Sequence, residues 1–168
     1  MKPPGEWREL PRSGNHNCFG CSPVNPAGLR MRFFSDGQSV LSRLVVPDHL
    51  CGWSRIVHGG VLGTILDEVM SWAAIHLLQR IALTRALTVE YLKPAAVGSA
   101  IEARAWVREA GGNDAATEGE IRDAQGDLCA RADARFKVFS PAVARRLQIA
   151  DEASIAWFER LFAAPREP

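Results

Sequence analysis

Residues 58–78 read HGGVLGTILDEVMSWAAIHLL, and this stretch decides the fold. Its apolar side chains recur around the whole circumference of a helix, which predicts a helix that begins at Gly59 or Gly60 and ends near Arg80. A helix this apolar must be covered on most of its surface. Because two carboxylates and a histidine interrupt it, we interpret it as a buried core helix and not as a membrane span.

Strand patterns lie on both sides of this helix. Before it, Leu29–Phe34 and Ser39–Val46 flank the turn dipeptide Asp36-Gly37 and predict a β-hairpin. After it, the hydrophobic period changes to two, and four segments predict an antiparallel meander with one wet face. These segments are Leu87–Leu92, Ile101–Arg108, Ala115–Arg122 and Leu128–Val138. A curved antiparallel sheet wrapped around one long central helix would cover that helix, so the predicted class is α+β.

The two ends of the chain differ from this middle. Residues 1–16 are rich in proline, glycine and charge, and predict a flexible N-terminal arm. Residues 141–168 show helical spacing that is broken near Asp151, which predicts a C-terminal extension of two helices. A single domain is therefore expected over residues 17–140.

The composition is that of an ordinary globular domain. The 168 residues include 20 basic and 19 acidic side chains, a formal net charge of +1, so we expect no attraction to nucleic acid or to a membrane surface. Because no export signal is recognised, we expect a cytoplasmic protein whose thiols stay reduced.

Cys18 and Cys21 form a C-x-x-C motif, whereas Cys51 and Cys129 stand alone. A structural zinc site would want a second pair, or a Cys or His partner at short spacing. We therefore interpret the pair as two small side chains in a tight loop, and expect no metal.

The central helix carries a polar stripe. Thr64, Asp67, Glu68 and Ser71 fall within a sector of about 100°, as 3.6 residues per turn requires. A partly desolvated carboxylate has a raised pKa, which suits it to act as a general base. The alternative is that the stripe is simply the solvated face of the helix, with capping or ion-pair roles.

His58-Gly59-Gly60 stands directly before this helix, without a strong capping residue. The first-turn amides are therefore expected to be free, and amides at a helix N-terminus suit the oxyanion that forms when a carbonyl group is attacked. Gly59 and Asp67 are separated by about 12 Å of helical rise, so a symmetric partner would have to bring them to one carbonyl. The alternative is an ordinary turn from loop to helix.

Together these segments resemble the PaaI-like branch of the hotdog thioesterase superfamily. The resemblance rests on HGGVLGTILDE, Thr84, LTVEYLKPAAVG and the opening NCFGCSPVNPAGL, and it covers residues 17 to about 139. It implies a hotdog fold and an acyl-CoA thioesterase without metal or cofactor. It also implies a homodimer that assembles further to a tetramer, with active sites across the dimer interface.

The resemblance assigns roles to individual residues. Asp67 would activate water or attack the thioester directly, the Gly59 amide would bind the oxyanion, and Thr84 would orient the water. Related enzymes often carry Asn or Gln six residues before the histidine, where this chain has Gly52. His49 or His58 would then have to supply that polar group.

Further residues are predicted to contact substrate. Gly60 lies beside the oxyanion amide, and Trp53, Trp72 and Met70 are candidates for an acyl pocket, although core packing explains the last two equally well. Glu68 is a second candidate carboxylate, for which we favour a solvated ion pair with an arginine.

Two other functions stay open. One is a non-catalytic module that binds acyl-CoA, and the other is a hotdog enoyl-CoA hydratase that uses His58 with Asp67. A G-x-S-x-G elbow, a P-loop and a dinucleotide fingerprint are all absent from the sequence, which disfavours a serine hydrolase and a nucleotide-binding enzyme.

Overall fold

A computed structural model describes residues 6–14 and 16–163. The strands are β1 (Arg8–Glu9), β2 (Phe34–Ser35), β3 (Val40–Val45), β4 (Ile81–Tyr91), β5 (Ala100–Gly111), β6 (Asp114–Asp123) and β7 (Leu128–Phe139). The α-helices are α1 (Gly59–Leu78), α2 (Pro141–Arg146) and α3 (Glu152–Ala163), and Asp48–Leu50 forms a short 3-10 helix. All strands belong to one antiparallel sheet in the order β1-β2-β3-β5-β6-β7-β4.

The core of the molecule is α1 packed against the concave face of this sheet. It contacts every strand from β3 to β7, and ten of its 20 residues are buried. By length and composition alone α1 would also qualify as a membrane span, but its packing in the sheet accounts for the same composition. Each large apolar side chain buried in this way contributes about 1.5–3 kcal/mol. The predicted hotdog architecture is confirmed.

The predicted four-stranded meander is wrong in one connection. The strands β5, β6 and β7 do form a meander, but β4 pairs with β7 at the far edge of the sheet and not with β5. The reason is that α1 carries the chain across the concave face before β4 begins. Residues 92–99 then bring the chain back to β3, and β5 pairs with β3.

The N-terminal hairpin is confirmed, although its first strand is shorter than predicted. Phe34 pairs with Leu41 around a turn in which Gly37 has φ +83°. Residues 29–33 fail to pair as a strand because their amides turn to the preceding loop, Leu29 to the Phe19 carbonyl and Met31 to that of Gly20.

The described part of the predicted N-terminal arm packs on this hairpin. Arg8–Glu9 pairs with Phe34–Ser35, and Leu10 is buried in the core. Residues 1–5 and 15 of the arm lie outside the described residues, and the boundary at residue 16 stays a prediction.

The C-terminal extension contains the two helices expected, with the break near Asp151. Asp151 begins α3 by accepting a 2.7 Å hydrogen bond from the Ser154 amide through Oδ1. Trp157 of α3 meets Trp72 of α1 edge to face, with ring centroids 6.1 Å apart, so the extension packs on the core. Residues 164–168 lie outside the described residues.

Gly119 on β6 lets α1 approach the sheet. A Cβ at this position would lie 2.9 Å from Cγ of the buried Met70 and 3.3 Å from Cδ2 of Leu66. Gly119→Val should therefore lower the free energy of unfolding by about 1–3 kcal/mol, the scale of core overpacking. Chemical denaturation measures it, with Gly111→Val as control because a Cβ there meets nothing within 4 Å. Equal stability of the two variants would contradict this account of the packing.

Candidate active site

His58 caps the N-terminus of α1. Its Nδ1 accepts a 2.9 Å hydrogen bond from the Gly60 amide, so the prediction that the first turn lacks a capping side chain is wrong. This bond uses the single ring lone pair of a neutral imidazole, which leaves Nε2 as the N–H side. Within the described part of the chain, the Gly59 amide has no hydrogen-bond acceptor. Gly59 therefore keeps a free donor directed at incoming negative charge.

A cleft of about 510 Å³ opens beside this end of α1. Its lining includes His58 and Gly59, together with the exposed side chains of Trp53, Ile56, Tyr91 and Leu92. Trp53 is 84% exposed, and the Tyr91 hydroxyl donates a 2.9 Å hydrogen bond to the Gly59 carbonyl. An apolar opening with a few placed polar groups at its edge is suited to a small organic ligand.

Asp67 and Thr84 are brought together within one chain. Thr84 Oγ1 donates a 2.7 Å hydrogen bond to Asp67 Oδ1. Burial raises the pKa of Asp67 above its usual value, and the hydrogen bond from Thr84 opposes that rise. Among the described residues no donor contacts Oδ2 of Asp67, so this oxygen is available to a water.

The two halves of the predicted site lie at opposite ends of the contact between α1 and β4. Tyr91 at the end of β4 bonds Gly59 at the start of α1, whereas Thr84 near the start of β4 bonds Asp67 further along the helix. Neither Asp67 nor Thr84 lines the cleft at His58. One chain therefore does not place its free amide and its carboxylate at the same carbonyl, and it does not pair His58 with Asp67.

Glu68 is not the solvated ion-pair partner that we expected. It points away from β4 into the N-terminal loop, where its Oε1 and Cys18 Sγ form a hydrogen bond of 3.1 Å. Among the described residues no Lys or Arg forms an ion pair with Glu68. Burial, followed by the sulfur of Cys18, raises the pKa of Glu68 to about 8. The interpretation as a solvated surface carboxylate is therefore wrong.

Cys18 and Cys21 lie close to His16 in the N-terminal loop. A hydrogen bond from the Cys21 thiol lowers the pKa of Cys18 to about 4, and the same contact raises that of Cys21. Ligand atoms of the two cysteines and His16 lie within 4.8 Å of one another. Our sequence reasoning missed His16, although its position two residues before Cys18 is the signal that would have found it.

Two other candidates for substrate contact lie in the core of the protein. Met70 and Trp72 are buried, and Trp72 stacks on Phe33 at 5.0 Å, so both belong to the core and not to an acyl pocket. A Cβ at Gly52 would lie 3.2 Å from His58 Cα and 3.4 Å from His58 Cδ2. The histidine therefore occupies the space that a side chain at position 52 would need.

Known structures with this architecture include thioesterases. The chain is 26% identical to a thioesterase superfamily protein over 68% of its own length and 57% of the other, with a TM-score of 0.62. It is 21% identical to the PaaI protein from the phenylacetic acid degradation operon of E. coli, over 66% and 80% of the two chains, with a TM-score of 0.60. It is 19% identical to a Streptococcus mutans UA159 protein bound to acetyl CoA, over 60% and 81%, with a TM-score of 0.57.

Residues 55–130 match the family profile described as the thioesterase superfamily. No curated protein sequence matches the chain. The chain is therefore similar to the thioesterase superfamily over residues 55–130, and its architecture is that of a hotdog fold. The matched region includes His58 and Gly59 as well as the Asp67–Thr84 pair.

Proposed function

We propose that the protein hydrolyses acyl-CoA thioesters to a free acid and coenzyme A, with Asp67 as the general base. The observation that carries the proposal is the 2.7 Å hydrogen bond from Thr84 to Asp67 on a helix whose N-terminal amide at Gly59 is free. The acetyl CoA bound to the S. mutans protein supports an acyl-CoA ligand for this fold.

The proposed reaction uses two groups that have no hydrogen-bond partner among the described residues, Oδ2 of Asp67 and the Gly59 amide. Thr84 holds Oδ1 of Asp67, so Oδ2 accepts a proton from a water as that water attacks the thioester carbonyl carbon. The carbonyl oxygen becomes an oxyanion, which the Gly59 amide stabilises by donating to it. The tetrahedral intermediate then breaks its C–S bond, and the proton on Asp67 passes to the departing sulfur.

A two-fold dimer would join the two halves of the site. The strand β4 is an edge of the sheet, so a second copy can extend the sheet by pairing β4 with β4 antiparallel. Antiparallel pairing sets the Thr84 end of one β4 beside the Tyr91 end of the other. Asp67 of one chain would then approach the Gly59 amide of its partner, which supports a homodimer with shared sites.

Release of free thiol from short, medium, long-chain and aryl acyl-CoA tests the activity. Turnover of at least one class is expected, and crotonyl-CoA is included because water addition to it would instead identify a hydratase. Binding of acyl-CoA without turnover, unchanged by Asp67→Asn, would overturn the proposal in favour of a binding module.

Asp67→Asn should lower kcat by about a hundredfold or more, the scale of a lost general base. The amide keeps the shape of the side chain but removes its basicity, so the melting temperature should change little. Steady-state kinetics on the best substrate measures the loss, and Asp133→Asn on the exposed face of β7 is the matched control. Activity of Asp67→Asn within a few-fold of the parent would make this carboxylate structural.

Thr84→Ala should lower kcat about tenfold, less than the loss at Asp67, because it removes orientation and not basicity. Thr84→Ser keeps the hydroxyl and should retain most of the activity. The decisive comparison is therefore Ala against Ser at equal stability. Two variants of equal rate would remove the hydroxyl from the reaction.

Gly59→Pro removes the proposed oxyanion donor without breaking α1. Proline is favoured at the first position of a helix and lacks the N–H, so kcat should fall by about 10² to 10³. Gly59→Ala is the matched control because it keeps the amide, and its Cβ would meet the Tyr91 ring at an ordinary 3.4 Å. Equal activity of the proline and alanine variants would exclude the Gly59 amide as the donor.

Mixing these chains tests the shared site. Dimers of Asp67→Asn and dimers of Gly59→Pro should both be nearly inactive. An exchanged 1:1 mixture should recover about a quarter of the parent activity per chain, since half of the dimers would hold one intact site. No recovery, with subunit exchange demonstrated by mass spectrometry, would show that both groups act within one chain.

A further inference from the structure

We propose that His16, Cys18, Cys21 and Glu68 form a zinc site that fastens the N-terminal loop to α1. The site lies outside the proposed hydrolytic machinery and does not depend on the proposed function. It joins residues from two distant parts of the chain, because Glu68 follows Cys18 by 50 positions.

The first reason is geometric. Ligand atoms of His16, Cys18 and Cys21 lie within 4.8 Å of one another, close to the spacing of about 3.5–3.8 Å that tetrahedral zinc imposes on sulfur and nitrogen ligands. Glu68 is not one of these three, but its Oε1 is 3.1 Å from Cys18 Sγ. With this carboxylate as the fourth ligand, two sulfurs, one imidazole nitrogen and one oxygen would complete a closed site.

The loop holds this arrangement by its own hydrogen bonds. The buried Ser22 donates to the His16 carbonyl at 2.6 Å, and its oxygen accepts from the amides of Val24 and Asn25. His16 Nδ1 accepts a 3.2 Å bond from the Cys18 amide. A neutral imidazole has one ring nitrogen with a free lone pair, and here that nitrogen is Nδ1. Metal binding would therefore break only this long, weak hydrogen bond from the Cys18 amide.

Glycine is required between the cysteines for Glu68 to reach them. A Cβ at Gly20 would overlap Cγ, Cδ and Oε1 of Glu68. The carboxylate therefore lies directly on the backbone of the Cys-x-x-Cys turn, and a side chain at position 20 would displace it from there.

Charge gives an independent reason. A partly buried carboxylate lies beside two partly buried thiols, and among the described residues no Lys or Arg forms an ion pair with Glu68. Buried charges are ordinarily paired or coordinate a metal. A divalent cation would balance this group, and a set of two sulfurs with one nitrogen selects zinc.

Four protein ligands leave no open position, so the metal would be structural and would not activate water. Its effect would be to fix residues 16–21 against the helical turn that carries Glu68. That turn also carries Asp67, whose side chain points instead to Thr84.

The test is metal binding by the full chain. Protein purified without chelator under reducing conditions should contain one zinc per chain by elemental analysis. After removal of the metal, Co²⁺ should bind at one site with a thiolate-to-cobalt charge-transfer band. Zinc should also protect Cys18 and Cys21, but not the exposed Cys51, from alkylation detected by peptide mass spectrometry.

Variants assign the ligands. Cys18→Ser and Cys21→Ser should weaken zinc binding more than about a hundredfold, and His16→Ala and Glu68→Gln by about tenfold or more, on the scale of lost metal ligands and their supports. Cys51→Ser is the matched control and should bind as the parent does. Glu68→Gln with parental affinity would exclude the carboxylate as a ligand.

The alkylation experiment on the parent protein keeps the proposal testable even if a cysteine variant fails to fold. A reduced parent protein that takes up no stoichiometric zinc or cobalt, or whose Cys18 and Cys21 react equally with and without zinc, would overturn the proposal. A Cys18–Cys21 disulfide that forms in zinc-saturated protein as readily as in metal-free protein would also overturn it, in favour of a redox pair.

Discussion

The burial of α1 is the constraint on which the rest of the molecule depends. A helix with ten buried residues in 20 needs apolar cover on most sides, and a single curved sheet provides it. To reach both edges of that sheet, the chain must cross its concave face as α1 before β4 begins. The free edge at β4, the exposed start of α1 and the cleft beside it all follow from this crossing.

The same burial determines what the polar stripe of α1 can do. Successive helical residues point about 100° apart, so Asp67 and Glu68 leave the axis toward different neighbours. Asp67 faces β4, where the Thr84 hydroxyl opposes the rise in its pKa, whereas Glu68 faces the Cys18–Cys21 loop and is hydrogen-bonded to Cys18 Sγ. Desolvation therefore acts on both carboxylates, but the available partner gives each a different chemistry.

Features with local causes were predictable from the sequence, and features that depend on distant residues were not. The bounds of α1, the turn at Gly37 and the break at Asp151 follow from periodicity and turn chemistry. The placement of β4 beside β7 does not, because strand pairing depends on where α1 delivers the chain. Likewise the environment of Glu68 is set by a loop 50 residues earlier, which no helical pattern contains.

The resemblance to PaaI-like proteins predicts a role for Thr84, and its hydrogen bond to Asp67 explains why a hydroxyl suits that position. Burial raises the pKa of Asp67 and so disfavours its ionised form. The hydrogen bond from Thr84 to Oδ1 opposes that rise and leaves Oδ2 of the carboxylate available. The edge strand that carries Thr84 is also the strand available to a second copy. In the proposed enzyme, the residue that tunes the base therefore lies on the strand that would bring in the partner's amide, so assembly and chemistry would depend on the same exposed edge.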